Sequence, residues 1–322
     1  MKLANRSKLP RYFGAVPRIG WILLGLIVLF VIISPHFGSL DNGFNLFRQG
    51  AVLVIVASGM MVTITSGGID LAVGSLVGLA GVIVGSTLKL GYPWPAAIIA
   101  GILVCSLAGL ISGLIIAKGR IFPFVVTFGM LFIARSISLG IVTGGSIHIQ
   151  NRSFSLINEG SFLFLPIPFW ITLLVVLFIL LLTKRTVLGR YIFSIGSDPV
   201  GASWLGINVD LYRIIVYILS GTLAGIAGVV LSSRVNTGNA LLGQGLEFFA
   251  IAAVVIGGTP ITGGRGSLAG AILGALVITV LQNGLSLLGL SSEIVSATVG
   301  VTLVLGVIFA QSVYRGGLRA KQ

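Results

Sequence analysis

The amino-acid sequence predicts an all-α polytopic membrane protein with about ten transmembrane helices. Three observations carry that prediction. First, 56% of its 322 residues are hydrophobic, only 8% are charged, and the mean hydropathy is +1.13. A soluble domain carries about 25% charged residues, so charge this sparse cannot cover a globular surface, and lipid must be the main solvent. Second, apolar runs of spanning length recur along the whole chain. Third, the basic residues fall in the links between those runs.

A span needs about 20 apolar residues, within a range of roughly 17–25. By that rule the candidates are 19–35, 50–66, 71–88, 95–117, 122–142, 163–183, 213–232, 246–258, 268–288 and 294–311. Backbone polar groups find no partners in lipid, so each run is read as a helix. The run after the basic N-terminus lacks a small-x-small cleavage pattern and reads as a retained first span. The segment 246–258 is short, either a half-helix or a stretch reaching toward Gly264. With aqueous links this short, residues 1–322 read as one transmembrane domain. Its polar parts are an N-terminal tail (1–18), a segment at 184–212 and a C-terminal tail (312–322).

Charge sets the direction. With the N-terminus placed in the cytoplasm, the inner segments hold 15 Lys and Arg and the outer ones hold 4 (Arg48, Lys89, Arg152 and Arg234), while Arg135 lies within a span. That asymmetry puts both termini inside. It also accounts for the net charge of +13 without nucleic acid, which needs a dense basic patch or stripe.

Little else carries chemistry. Cys105 lies in an apolar run, and His36 and His148 have no nearby acid or cysteine at ligand spacing. The glycine-rich stretch 257–267 lacks the Gly-Lys-Ser/Thr ending of a nucleotide-binding loop. Glycines at four-residue spacing, as in Gly221–Gly225 and Gly270–Gly274, let helices approach closely in lipid. Arg135 sits about 20 Å into its span and either lines a path, snorkels or pairs with a loop carbonyl. Glu247 stands at a span edge.

Thr65–Ser75 reads TSGGIDLAVGS, with one acid, Asp70, between two membrane-grade runs. A charge there is expensive and needs a reason. Paired glycines absorb a sharp turn. The segment is either a short cytoplasmic turn or a broken helix, which is tolerated where it lines a cavity or is buried in protein. Asp70 is placed to cap the helix beginning near Leu71. Asp198 followed by Pro199 predicts a second cap, opening a short helix over Val200–Leu205 that Gly206 ends, within 198–207. Val200, Trp204 and Ile207 share one face of it, to lie on the membrane or to dock a partner.

Seven segments in order carry a resemblance. They are SGGIDLAVGS at 66–75, AKGRIFPFVVTFGM at 117–130, LGRYIFSIG at 188–196, LGINV at 205–209, IAAVVIGGT at 251–259, GGRGS at 263–267 and LQNGLSLLGLSS at 281–292. Together they resemble the membrane permease subunits of ribose-type ABC importers, which take up monosaccharides and related small polyols. The likeness runs from about Ile19 to Val313. It implies two permease chains around a central path in the cytoplasmic membrane, and a periplasmic or lipid-anchored solute-binding protein outside. It also implies separate cytoplasmic ATPase subunits, which bind the ATP and Mg; the chain itself then needs no cofactor and holds no ATPase site. Gly189, Arg190, Gly196, Gly206 and Ile207 would belong to the ATPase-coupling segment, with Asp198 and Ala202 in its helix. Ser66, Gly67, Gly68, Asp70 and Ser75 would belong to the helix break near the path, and Asn283 to a polar position of the ninth span. Thr65, Ser66, Ser75, Gln282 and Asn283 are the sources of hydroxyl-matching groups for a neutral sugar. Two departures stand out: Val200–Gly201 where the family often has paired alanines, and Phe249 where many members carry a second acid. The rival readings are a stand-alone secondary transporter or facilitator, which would need more intramembrane ionisable groups, and a membrane transferase, which would need convergent acids or histidines.

Overall fold

A computed structural model of the chain describes residues 15–143, 145–291, 293–295 and 297–301. The elements run α1 (Ala15–Ile33), α2 (Leu40–Thr65), α3 (Val73–Lys89), α4 (Trp94–Gly119), α5 (Pro123–Val142), β1 (Ser146–His148), α6 (Arg152–Glu159), β2 (Ser161–Phe162), β3 (Leu165–Pro166), α7 (Ile167–Arg185), α8 (Val187–Ser197), α9 (Pro199–Trp204), α10 (Val209–Val235), β4 (Thr237–Asn239), α11 (Leu246–Ile256) and α12 (Leu268–Leu287). Six of these, α2, α4, α5, α7, α10 and α12, are long and apolar enough to cross a membrane; α1, α3 and α11 are shorter apolar helices. Against the expected ten, the described residues hold six full-length helices and three short apolar ones, with helix resuming at 293 and described as far as 301. The rest of the 294–311 run, most of the N-terminal tail and all of the C-terminal tail lie outside the described residues.

Local chemistry explains the boundaries. Proline in the first turn starts α4, α5 and α7, where its missing N–H costs nothing. Ser39, Asn208 and Ser267 cap α2, α10 and α12 through side-chain oxygens. The second span starts ten residues earlier than hydropathy suggests. Its first turns carry Asp41, Asn42, Asn45, Arg48 and Gln49, which an apolar count excludes but the Ser39 cap admits. The sixth span starts later than expected because β2 and β3 form a hairpin, with Leu163 and Phe164 at positive φ in the turn.

The bundle has two distinct ends. At one, β1 and β4 pair antiparallel, Ile147 opposite Gly238, tying the α5–α6 link to the α10–α11 link. At the other, α8, α9, the α2–α3 link and the α11–α12 link meet. Buried residues of α2, α3, α10, α11 and α12 form the main core, while α4, α5 and α7 present exposed Leu103, Leu107, Phe128, Phe132, Leu174 and Leu181. Such an outer face suits lipid rather than water. Glycines set the closest packing, as their spacing predicts. A Cβ on Gly225 of α10 would stand 2.9 Å from Ile102 Cα of α4, and one on Gly270 or Gly274 of α12 would strike the Gly257 or Ala253 carbonyl at α11. Cys105 packs inside, its thiol donating to Leu76 O at 3.2 Å.

Candidate functional site

The segment forms a link at the end of the bundle where α8 lies, as a short turn between two helices: α2 ends at Thr65, Gly67 adopts φ +86°, and α3 starts at Val73. Gly68 lies against the Tyr217 hydroxyl, which any Cβ there would strike. Ser66 and Ser75 turn inward, their hydroxyls donating to Thr63 O at 2.7 Å and Ala72 O at 2.8 Å. Asp70, 2% exposed, accepts from Ala72 N at 2.9 Å and from Ser220 Oγ at 2.7 Å. The carboxylate takes the Ala72 amide ahead of α3, which begins at Val73, two positions later than expected; its N-cap is Ala72, with no side-chain cap, so Asp70 does not cap the helix. Its second oxygen ties that start to α10. The space beside Ser66, Gly67, Gly68, Arg213 and Tyr217 is about 10 Å³, room for one water and no solute.

The structure divides the expected path residues. Thr65, Ser66, Gly67, Gly68, Asp70 and Ser75 gather at the α2–α3 link, whereas Gln282 and Asn283 lie near the opposite end of α2. Asn283 and Asn42 exchange two side-chain hydrogen bonds, at 3.0 and 2.9 Å, and Asn42 also donates to Phe37 O. Asn42 and Thr65 are separated by almost the whole of α2, roughly 35 Å at a rise of 1.5 Å per residue. Asn283 is thus a buried clasp between α2 and α12.

Gln282, its chain neighbour, faces elsewhere. It lines a cavity of about 150 Å³ together with Gln49, Leu53, Arg234, Phe249 and Thr279. That is below the roughly 300–1,000 Å³ of drug-sized pockets and suits one small solute. Arg234 donates to Asn45 Oδ1 at 3.3 Å, and Arg48 donates to Asn158 O at 3.1 Å. The sequence reading missed Gln49, Thr279, Phe249 and Arg234 as lining groups. A signal existed for the first: Asn42, Asn45 and Gln49 recur at helical spacing, the mark of one polar face. Arg234 was counted in an outer link, but it occupies the last turn of α10.

At the other end, α8 and α9 form as capped helices. Thr186 accepts from Gly189 N at 3.2 Å, and Asp198 Oδ1 accepts from Val200 N and Gly201 N, each at 3.0 Å. Gly206, at φ +81°, closes α9: Gly206 N donates to Ser203 O and Ile207 N to Ala202 O. Ala202 points inward; Arg190, Val200, Trp204 and Leu205 are exposed, Trp204 at 85%. Gly189 packs against the Leu182 and Thr183 carbonyls at the end of α7. Gly196 rests on Thr65 O, which itself accepts from Gly264 N at 2.9 Å, and Ser197 Oγ donates to Gly264 O at 3.3 Å. The glycine-rich stretch 257–267 is therefore the packing partner of both the α2 break and α8.

Arg135 pairs with loop carbonyls, the third of its expected fates: its guanidinium donates to Ala240 O and, at 3.4 Å, to Leu242 O. Glu247 is buried beside Gly74 and Gly243 O. His36 sits in the turn before α2, its carbonyl accepting from Ser39. His148 ends β1.

Residues 42–308 match the family described as branched-chain amino acid transport system / permease component. The chain belongs to that permease family. Among its relatives, the permease is 36% identical to the ribose import permease protein of Escherichia coli over 293 residues, covering 89% of this chain and 91% of that protein. It is 34% identical to the ribose import permease protein of Bacillus subtilis over 312 residues, covering 95% and 97%. To the D-allose transport system permease protein of Escherichia coli it is 35% identical over 272 residues, covering 83% of each.

Proposed function

We propose that this permease is the membrane subunit of an ATP-binding-cassette importer for a monosaccharide or related small polyol, spanning the cytoplasmic membrane with both termini inside. Residues 1–322 act as a single transmembrane domain. ATP and Mg are bound by separate ATPase subunits, and the permease needs no cofactor of its own. A solute-binding protein delivers the sugar at the β1–β4 end, and a second permease chain, identical or homologous, completes the path. The likeness to ribose and allose permeases over most of their length supports the substrate class. The distribution of Lys and Arg supports the orientation, since Lys118, Arg120, Lys184, Arg185, Arg190 and Arg213 all belong to the α8–α9 end.

One observation carries the coupling. The exposed apolar face of α9 is joined to the α2–α3 link by a short chain of hydrogen bonds. Asp198 caps α9, Ser197 before it holds Gly264, and Gly264 holds Thr65 at the end of α2. An ATPase seated on Val200, Trp204 and Leu205 would push α9 and thereby move the α2–α3 and α11–α12 links together. Gly189, Arg190, Gly196, Ala202, Gly206 and Ile207 shape that seat. Thr65, Ser66, Gly67, Gly68, Asp70 and Ser75 form the moving break. The cavity bearing Gln282 lies on the solute's route, and Asn283 braces its wall.

Reconstitution with the cognate ATPase and binding protein tests this. Uptake should require ATP hydrolysis and the ATPase subunit. Uptake by the permease alone, driven by an ion gradient, sinks the proposal.

A further inference from the structure

We infer that Arg234 makes the cavity near the β1–β4 end a site for a hydroxylated carboxylate, a sugar acid, in preference to the corresponding neutral sugar. This rests on the reading above that the cavity lies on the solute's route, and it revises the solute's class from the neutral monosaccharide to the acid derived from it. Its lining residues include one cation and no carboxylate. The guanidinium carries five N–H donors. Among the described residues its side-chain acceptor is Asn45 Oδ1, a neutral oxygen at 3.3 Å. Its charged neighbour is Arg48, of the same sign, whose own Nε is turned to Asn158 O. Two like charges at the edge of a low-dielectric bundle raise the local positive potential, and among the described residues no carboxylate lines the cavity to balance it. A ligand anion fills that role.

The remaining lining matches the rest of such a molecule. Gln49 and Gln282 each offer an amide donor and acceptor to hydroxyl groups. Thr279 donates to Ala275 O at 2.8 Å, so its hydroxyl presents lone pairs and accepts from a solute O–H. Phe249 and Leu53 supply apolar walls for the carbon skeleton. A neutral sugar would meet the same amides but give Arg234 only hydroxyl oxygens. A carboxylate accepts two parallel N–H bonds from one guanidinium, with charge assistance.

The test uses the full chain in zwitterionic lipid nanodiscs and calorimetric titration with D-ribonate, D-ribose and acetate. Ribonate should bind about tenfold more tightly than ribose, and its affinity alone should fall with added KCl. Arg234→Gln should erase the preference, and Arg234→Lys, which keeps the charge but not the fork, should retain part of it. Equal or tighter binding of ribose, no binding of ribonate, or acetate binding as tightly as ribonate (a plain anion site) overturns the inference. So does an unchanged ratio in Arg234→Gln. If the importer reading failed instead, uptake would lose its dependence on the ATPase while the ribonate preference stayed.

Discussion

The Ser220 hydroxyl donates to Asp70 Oδ2 at 2.7 Å, joining the start of α3 to the middle of α10. With Ala72 N on its other oxygen, the one acid of this link is buried and committed to protein partners. Asp70→Asn keeps an oxygen for Ala72 N and loses the charge-assisted bond, a cost of about 1–3 kcal/mol. Transport should stay near normal and Tm should fall. Loss of transport with unchanged Tm would return Asp70 to the path.

Gly68 should be far less tolerant. A side chain there meets the Tyr217 hydroxyl and forces the break or α10 to shift. Gly68→Val should express in the membrane yet abolish transport. Gly68→Ala combined with Tyr217→Phe, which removes the obstructing oxygen, should recover part of the loss of Gly68→Ala alone. An absence of recovery would show that backbone strain, rather than the hydroxyl, decides the position.

The Asn42–Asn283 clasp should behave as a unit. Either residue changed to Leu strands a buried amide, costing about 1–3 kcal/mol, whereas changing both removes polar groups together. Thermal unfolding of the two single variants and the double should show a double less damaged than the sum of the singles. Strict additivity would count against the paired bonds.

Gly196 lies where α8 touches the end of α2. A Cβ at Gly196 would strike Thr65 O and stand 2.6 Å from Gly264 N. Gly196→Ala should therefore separate the two ends of the coupling chain: ATPase subunits still bind and hydrolyse ATP, but transport per ATP falls steeply. If transport and hydrolysis fall in proportion, the residue only supports assembly.

The α9 helix is short, so its cap matters. Asp198→Ala removes the acceptor for two amides at a cost of about 1 kcal/mol. Trp204→Ala leaves the helix intact and removes exposed apolar surface. Co-purification with the ATPase should weaken in both, more in Trp204→Ala. Undiminished binding in the latter would move the docking face off α9.

Local chemistry made some sites legible. Asp198–Pro199 and Gly206 were readable as start and stop because capping acts over three or four residues, and α9 formed between them. The break at 65–72 was readable because paired glycines and an acid are costly in an apolar run. The polar start of α2 was not, since a hydropathy count penalises the amides that Asn283 and Arg234 later satisfy.

By itself, the sequence determined the class, the helical runs, their charge bias, the interruption after Thr65 and the capped start of α9, because each depends on composition or on neighbours along one turn. The tertiary structure alone decided which polar groups meet. It set Asp70 against Ser220, Asn42 against Asn283, Gly196 against Thr65, and Gln282 beside Arg234. These pairs lie far apart in the chain, and a helix pattern states which residues share a face without stating which other helix that face will touch.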